Sequence, residues 1–181
     1  MQRWIKSSFG KCLTTINVDW SSKTFKVNNK VVQVTFCDTA GQERYRSLTK
    51  QYFRDSSGVV LVYDITDRSS FKHIENWLDE VKSMCDPLPT MLVIGNKSDL
   101  SEQRVVSSDE AFNFAKMENL FFIEASALDG SNCTRAMQLL LQYIHSTNLK
   151  LNDPQNGPSP STFKLGSDDN TFEQLTNDCS C

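Results

Sequence analysis

The sequence lacks a long apolar run, a strong net charge and a secretory leader. No window of about 18 consecutive residues is apolar, so no membrane-spanning helix is predicted. The first 20 residues contain no apolar core of the signal-peptide type, and secretion is not expected. The formal net charge of the 181 residues is -3, which does not favour nucleic acid as a partner. The length is that of one domain with a substantial core.

Histidine is scarce and cysteine is not, since the chain has two of the first and six of the second. Six cysteines in a chain that is not secreted indicate free thiols rather than disulfides. Cys179 and Cys181 end the chain with one serine between them, and metal ligation is one interpretation of that pattern. A closed zinc site needs four ligands, however, and His73 and His145 both lie within helical patterns, so metal ligation is disfavoured.

The composition changes near residue 150. From Leu151 onward the chain is polar, with Pro154, Pro158 and Pro160 among Asn, Ser, Asp and Gly, and we predict a disordered tether. Five acids and one base give residues 151–181 a charge of -4, which leaves +1 for the body. The predicted organisation is therefore one domain over residues 1–149 and a variable tail over residues 150–181.

Apolar periodicity predicts alternating strands and helices. The predicted strands are 23–27, 31–37, 58–65, 91–94 and 121–123, and the first two form a hairpin that turns at Asn28-Asn29. Helical spacing covers residues 67–84 and the segment from Cys133 to Ile144, and Ser107 with Glu110 forms a capping box before a third helix. This order predicts an α/β fold with a mostly parallel sheet, which binds ligands beyond the carboxyl ends of its strands.

Three polar loops follow predicted strands directly. The stretch from Val34 to Tyr45 reads VTFCDTAGQERY, in which an apolar strand, interpreted as interior, ends at Asp38. Asn96 to Asp99 read NKSD, and Glu124 to Leu128 read EASAL. Taken alone, Asp-Thr-Ala-Gly is also compatible with a plain turn in which Gly41 supplies a positive φ.

In this order, DTAGQE, NKSD and SAL resemble the guanine-nucleotide-binding loops of small GTPases. TTINVDW (14–20), ERYRSLTKQYFR (43–54) and LVYDIT (61–66), with the terminal Cys-Ser-Cys, look like the Rab branch. The resemblance covers about residues 2–144. It implies a three-layer fold like that of P-loop NTPases, binding of GTP and GDP with Mg²⁺, and GTP hydrolysis in a switch of membrane traffic.

The resemblance also implies roles for residues at the base end of the site. Asp99 would accept the two donors of the guanine edge, which adenine cannot present. Asn96 would support the base and its loop, Lys97 would lie along the ring, and the Ala127 N–H would bond the guanine oxygen. Ser126 would brace Asp99, and Leu128 completes the loop at a position where many relatives carry lysine.

At the phosphate end the resemblance implies magnesium and catalysis. Thr15 would coordinate Mg²⁺ directly and Asp38 through water, because magnesium takes hard oxygen ligands and keeps several waters. Thr14 and Thr15 could also simply begin a strand. The Gly41 N–H would contact the γ-phosphate, and Gln42 would orient the attacking water as the catalytic residue.

One expected motif does not occur in this sequence. The phosphate-binding loop GxxxxGK[ST] is absent, since Gly10-Lys11-Cys12 lacks both the upstream glycine and the hydroxyl. We expect the first strand, this loop and most of the first helix to be missing, as in a truncated product or an incomplete gene model. Losing about five charge-assisted contacts at ~1.5–3 kcal/mol each should make nucleotide binding weak. In the family the missing strand lies between the strand ending at Cys37 and the one ending at Ile65, so its buried side chains would also be lost and the fold should be less stable.

The remaining expectations concern partners. Ile16, Trp20, Cys37 and Tyr52 are the expected effector-contacting positions, with Cys37 where the resemblance expects tryptophan. Cys179 and Cys181 would carry geranylgeranyl groups, and two chains give stable anchoring. The implied partners are Rab effectors, an exchange factor, a GTPase-activating protein, an escort protein and a GDP-dissociation inhibitor, at the cytoplasmic face of intracellular membranes and in the cytosol. The alternative function is a Rab-like interaction module that binds no nucleotide.

Overall fold

The computed structural model describes residues 19–28, 30–39 and 53–151. Five strands, three α-helices and one 3₁₀ helix of Ser98–Gln103 lie in these ranges. The strands are β1 (Asp19–Val27), β2 (Lys30–Asp38), β3 (Gly58–Asp64), β4 (Thr90–Asn96) and β5 (Phe121–Glu124). The helices are α1 (Arg68–Met84), α2 (Ser108–Met117) and α3 (Cys133–Leu151).

Strands β1 and β2 form the predicted antiparallel hairpin. Asn28 lies at the turn with a φ of 47°, a left-handed conformation that asparagine tolerates. The register pairs Trp20 with Cys37 and Val27 with Lys30, so β1 begins four residues before the predicted Lys23. Val32, Val34 and Phe36 share one half-buried face, as their alternation with exposed residues predicted.

Strands β3, β4 and β5 form a parallel sheet in that order. On one face, β3 packs against α1 and α2 through a core that includes Tyr63, Ile74 and Ala111. On the other face, β4 and β5 pack against α3, with Ile94 and Leu140 among the contacts. This arrangement of helices on both faces is the predicted α/β architecture, and its core explains why β4 is buried along nearly its whole length.

Within the described ranges, the two sheets are separate. Strand β2 pairs only with β1 there, and β3 pairs only with β4, so the interpretation of residues 31–37 as an interior strand is not seen in this part of the chain. Val27 joins the hairpin to the rest of the fold by packing against Met137 and Leu141 of α3.

Candidate functional site

A cleft of about 890 Å³ lies between the hairpin and the three-stranded sheet. Much of its lining is apolar and comes from β2, β3 and α3, with Val34, Val60 and Leu140 among the lining residues. One end of the cleft is lined by residues at the carboxyl ends of the strands. Asp38 and Thr39 stand there on one side, and Asn96 and Ala127 stand on the other. Three of the predicted nucleotide-binding residues, Asp38, Asn96 and Ala127, therefore line one cleft.

Asn96 ends β4, and Lys97 then turns the chain sharply. Lys97 has a φ of 64°, which lies in the left-handed region, and its carbonyl accepts a hydrogen bond from the Leu100 N–H at 2.9 Å. The turn leads directly into the 3₁₀ helix, where Asp99 is exposed at the surface. The backbone of the predicted NKSD loop is thus held by its own hydrogen bond, and Asp99 is accessible from solution.

The Lys97 ammonium forms an ion pair with Asp64 at the end of β3. The Nζ to Oδ2 distance is 2.6 Å. Asp64 Oδ1 also accepts hydrogen bonds from the Thr66 N–H at 2.8 Å and from the Thr66 hydroxyl at 2.7 Å. Although burial raises the pKa of Asp64, the hydrogen bonds from Lys97 and Thr66 outweigh it, so the net pKa is lowered. Asp64 is therefore held as a carboxylate that fixes the Lys97 side chain.

The Ala125–Leu128 loop is built around a buried serine. Ser126 is fully buried, and its Oγ accepts hydrogen bonds from the Leu128 N–H at 3.2 Å and the Asp129 N–H at 3.3 Å. Its backbone carbonyl accepts from the Gly130 N–H at 2.9 Å. The expected brace between Ser126 and Asp99 is not seen among the described hydrogen bonds, because the hydroxyl is directed at the amides of its own loop. Leu128 is exposed.

Two hydrogen bonds join the loop after β4 to the loop after β5. The Ala127 N–H donates to Asn96 Oδ1 at 3.2 Å, and the Ser98 N–H donates to the Ala125 carbonyl at 3.1 Å. Both loops leave parallel neighbouring strands at the same edge of the sheet, which brings residues about 30 positions apart into contact. The structure thus combines Asn96, Lys97, Ser126 and Ala127 into one loop pair, which we call the base-loop pair.

The phosphate side of the predicted site is described only in part. Asp38 ends β2 and is half-buried, and it is a hard-oxygen ligand of the kind that magnesium prefers. Thr15, Gly41 and Gln42 lie outside the described residues. Within the described ranges, no group of three or more His, Cys, Asp or Glu side chains could hold a metal ion.

Two of the four expected effector positions are described. Trp20 and Cys37 are paired across the hairpin, and Trp20 is 53% exposed. Burial, followed by the charge of Asp38, raises the pKa of the Cys37 thiol. Ile16 and Tyr52 lie outside the described residues, as do Cys179 and Cys181 of the expected lipidation site.

The helices that are described do not combine the length and apolar character needed to cross a bilayer.

Sequence reasoning did not identify Asp64, Arg104 or Glu124 as residues that hold the site. Arg104 and Glu124 form a bidentate ion pair, with Nη1 to Oε1 at 2.6 Å and Nη2 to Oε2 at 2.9 Å. The partners are 20 residues apart, so no local pattern indicated their contact. The only available signal was position, since Asp64 ends one strand and Glu124 ends another.

Comparisons with known proteins agree with this fold. The sequence profile of the Ras family matches residues 1–146. The chain is 41% identical over 151 residues to Ras-related protein RABA4b of Arabidopsis thaliana, which covers 83% of the chain and 67% of that protein. It is 40% identical over 153 residues to Ras-related protein Rab11D of Nicotiana tabacum, covering 82% and 69%. It is 46% identical over 143 residues to Ras-related protein Rab-4 of Dictyostelium discoideum, covering 75% and 70%.

The parallel sheet with helices on both faces, and the base-loop pair at its edge, define a protein of the α/β small-GTPase class. With the matches above, the chain belongs to the Rab branch of the Ras family.

Proposed function

We propose that this chain binds guanine nucleotides and acts as a Rab-type switch in membrane traffic, with GTP, GDP and Mg²⁺ as its ligands. The observation that carries the proposal is the base-loop pair, in which the Asn96 side chain and the Ala127 amide are 3.2 Å apart at the edge of a cleft. The family membership supports the same function, because it is the function that the resemblance implied.

The base end would select guanine through hydrogen bonding. A carboxylate accepts hydrogen bonds only, and Asp99 is exposed at the end of the loop that begins at Asn96. The N1–H and the exocyclic amine of guanine supply two donors to such a carboxylate. Lys97 is held over the end of β3 by Asp64 and would offer its stem to the ring. Ala127 would donate to the guanine oxygen, and Ser126 and Leu128 would shape the loop.

The phosphate end would carry hydrolysis. Thr15 and Asp38 would hold Mg²⁺, which neutralises phosphate charge when bound. Gly41 would donate its N–H to the γ-phosphate, and Gln42 would orient a water molecule toward it. Hydrolysis would then release two loops from an ordered state, which is the basis of a switch.

Membrane recruitment would depend on the end of the chain. By the resemblance to Rab proteins, Cys179 and Cys181 would carry prenyl groups, and two lipid chains give stable anchoring. Ile16, Trp20, Cys37 and Tyr52 would contact effectors, and the exposed Trp20 gives the described part of this surface an aromatic anchor. An exchange factor, a GTPase-activating protein, an escort protein and a GDP-dissociation inhibitor would complete the cycle between cytosol and membrane.

A second function, a Rab-like interaction module without nucleotide, is favoured by a different observation. The 181 residues contain no GxxxxGK[ST] stretch, and the described part of the sheet is divided by the cleft between β2 and β3. Such a chain would keep the effector-facing hairpin while binding nucleotide weakly or not at all.

A nucleotide titration of the full 181-residue chain separates the two functions. We expect GDP to bind at least about tenfold more tightly than ADP, since the Asp99 carboxylate would lose its hydrogen-bond donors with adenine, at a cost of about one decade or more. Asp99→Asn should remove that preference, whereas Asp129→Asn, in the neighbouring loop, should retain it. Addition of EDTA should weaken GTP binding. Equal affinities for GDP and ADP would contradict guanine recognition and favour the interaction module.

A further inference from the structure

An ion pair between Arg104 and Glu124 connects the two loops of the base-loop pair. Arg104 follows the 3₁₀ helix that begins after Lys97, and Glu124 is the last residue of β5, directly before Ala125. Both oxygens of the carboxylate accept from the guanidinium, at 2.6 and 2.9 Å. The side chains are only 24% and 19% exposed, so water screens this pair less than a surface pair.

Each partner is fixed by further contacts. Arg104 Nη1 also donates to the Val106 carbonyl at 3.1 Å, and the Val106 N–H donates to the Ile65 carbonyl at 3.1 Å, just beyond the end of β3. The Glu124 carbonyl accepts from Asn132 Nδ2 at 2.8 Å, at the start of α3. The ion pair therefore links segments that are each tied to the sheet or to a helix.

The Ser98 N–H to Ala125 carbonyl bond and the Ala127 N–H to Asn96 Oδ1 bond join the two loops, and Asn96, Ala125 and Ala127 line the cleft. Neither Arg104 nor Glu124 lines the cleft. They are consequently placed to act on a ligand through the loops and not by contact.

We propose that Arg104 and Glu124 are positioning residues that set the spacing between the Asn96–Asp99 loop and the Ala125–Leu128 loop. The proposal deepens the proposed function and rests on it where a nucleotide is concerned. A bidentate guanidinium–carboxylate pair fixes both the distance and the relative orientation of its two partners, which a single contact does not. Loss of the pair would let the two loops separate and would blur the discrimination between similar bases.

The chain offers a matched control. Arg68 and Glu110 form a second bidentate pair, at 2.6 and 2.5 Å, between the start of α1 and the first turn of α2. That pair is more exposed, at 46% and 40%, and touches neither loop. Arg104→Gln and Glu124→Gln are therefore compared with Arg68→Gln, which removes the same chemistry elsewhere.

The first readout needs no nucleotide. Amide hydrogen exchange of the full chain is measured at Ser98 and Ala127, with Val93 and Phe122 as internal references within β4 and β5. In Arg104→Gln and Glu124→Gln we expect exchange at Ser98 and Ala127 to accelerate about tenfold or more, as for the loss of a charge-assisted hydrogen bond. The references should stay unchanged, and Arg68→Gln should leave all four amides unchanged. Equal acceleration in Arg68→Gln, or none in Arg104→Gln, would overturn the proposal.

The second readout is the ratio of the dissociation constants of IDP and GDP, since hypoxanthine lacks the exocyclic amine of guanine. This ratio does not depend on the fraction of protein that is folded, so a purely stabilising role would leave it unchanged. We expect it to fall about fivefold to tenfold in Arg104→Gln and to be intermediate in Arg104→Lys, which keeps the charge but not the bidentate geometry. If the ratio of the IDP and GDP dissociation constants is unchanged while amide exchange accelerates, the proposal that the pair positions the base is wrong.

If Arg104→Gln does not fold, Arg104→Lys is examined by the same two measurements. If the unsubstituted chain binds neither GDP nor IDP, the proposed function fails, and the exchange comparison alone decides whether the ion pair holds the loops.

Discussion

Tyr63 and Gly95 pack against each other directly beneath the loop that begins at Asn96. They are paired residues of β3 and β4, and a Cβ at position 95 would lie 2.7 Å from Tyr63 Oη and 3.0 Å from its Cζ. Tyr63 is 1% exposed, so the ring cannot move aside into solvent. The close approach of the hydroxyl, rather than a turn, therefore requires glycine at this position.

We expect Gly95→Ala to destabilise the protein by about 1–3 kcal/mol, the usual cost of overpacking. Urea unfolding followed by circular dichroism measures it. Tyr63→Phe removes the obstructing oxygen, and that hydroxyl has no hydrogen-bond partner within the described part of the chain, so the single substitution should be neutral or stabilising.

The double variant provides the control. Gly95→Ala combined with Tyr63→Phe should be more stable than the sum of the two single effects predicts. Strict additivity would show that the hydroxyl contact is not the source of the cost.

Asp64 should give the protein a recognisable acid response. Its pKa is lowered in the folded state, so it contributes stability that is present above the pKa of the unfolded chain, about 3.9, and is lost as the pH falls through the lower folded value. We expect Asp64→Asn to be less stable than the unsubstituted chain at pH 7, and the difference to shrink as the pH approaches 3. Urea midpoints at both pH values test this. A difference that is constant with pH would contradict the assignment.

At the scale of elements, local patterns predicted most of what is observed. The apolar spacing of Phe71, Ile74, Leu78 and Val81 predicted α1, and all four are buried. The capping box at Ser107 is present in half, since Ser107 Oγ accepts from the Glu110 N–H at 3.1 Å, whereas the Glu110 carboxylate pairs with Arg68. The pattern predicts a helix start because it is local, but it does not contain the competing partner 42 residues away.

Ser107→Ala should therefore destabilise the protein by about 0.5–2 kcal/mol through loss of the α2 cap. Ser107→Asn should recover most of this, because asparagine is also a good capping residue. Thermal unfolding of the three proteins provides the measurement. Equal loss in both variants would indicate that the serine acts through something other than capping.

In the site, too, residues within single loops were predicted and contacts between different elements were not. The resemblance of the NKSD and EASAL loops to those of small GTPases implied Asn96, Lys97, Ser126 and Ala127, and the structure brings these residues together at one edge of the sheet. The partners that hold them, Asp64 and the Arg104–Glu124 pair, were not predicted, because each contact joins different elements. Such pairing depends on strand order and loop length, which a single sequence does not specify.

At the scale of the whole molecule, the hairpin and the three-stranded sheet are joined by few described contacts. Val27 is buried against Met137 and Leu141 in a small core of its own, separate from the cores on the two faces of the larger sheet. The sequence predicted the hairpin itself from its turn at Asn28. It did not predict that α3 would hold the hairpin in place.

We expect Val27→Ala to cost about 2 kcal/mol, as for removal of two buried methyl-sized groups, and to loosen the hairpin selectively. Hydrogen exchange should accelerate at the β1 and β2 amides and remain slow in β4. Val93→Ala, in the core beneath α1, should instead lower protection in β4 as well. Uniform loss of protection in Val27→Ala would show that the two sheets unfold as one unit.

The hydrogen bond between Asn96 Oδ1 and the Ala127 N–H has a consequence for any ligand carbonyl that approaches that amide. The donor already has an acceptor, so an incoming oxygen would exchange one partner for another instead of satisfying an orphan group. Replacing one hydrogen-bond partner by another adds little to the free energy of binding. A ligand whose oxygen is missing or displaced nevertheless binds less tightly. This end of the cleft is thus suited to distinguishing one ligand from another, and most of the free energy of binding must come from other contacts.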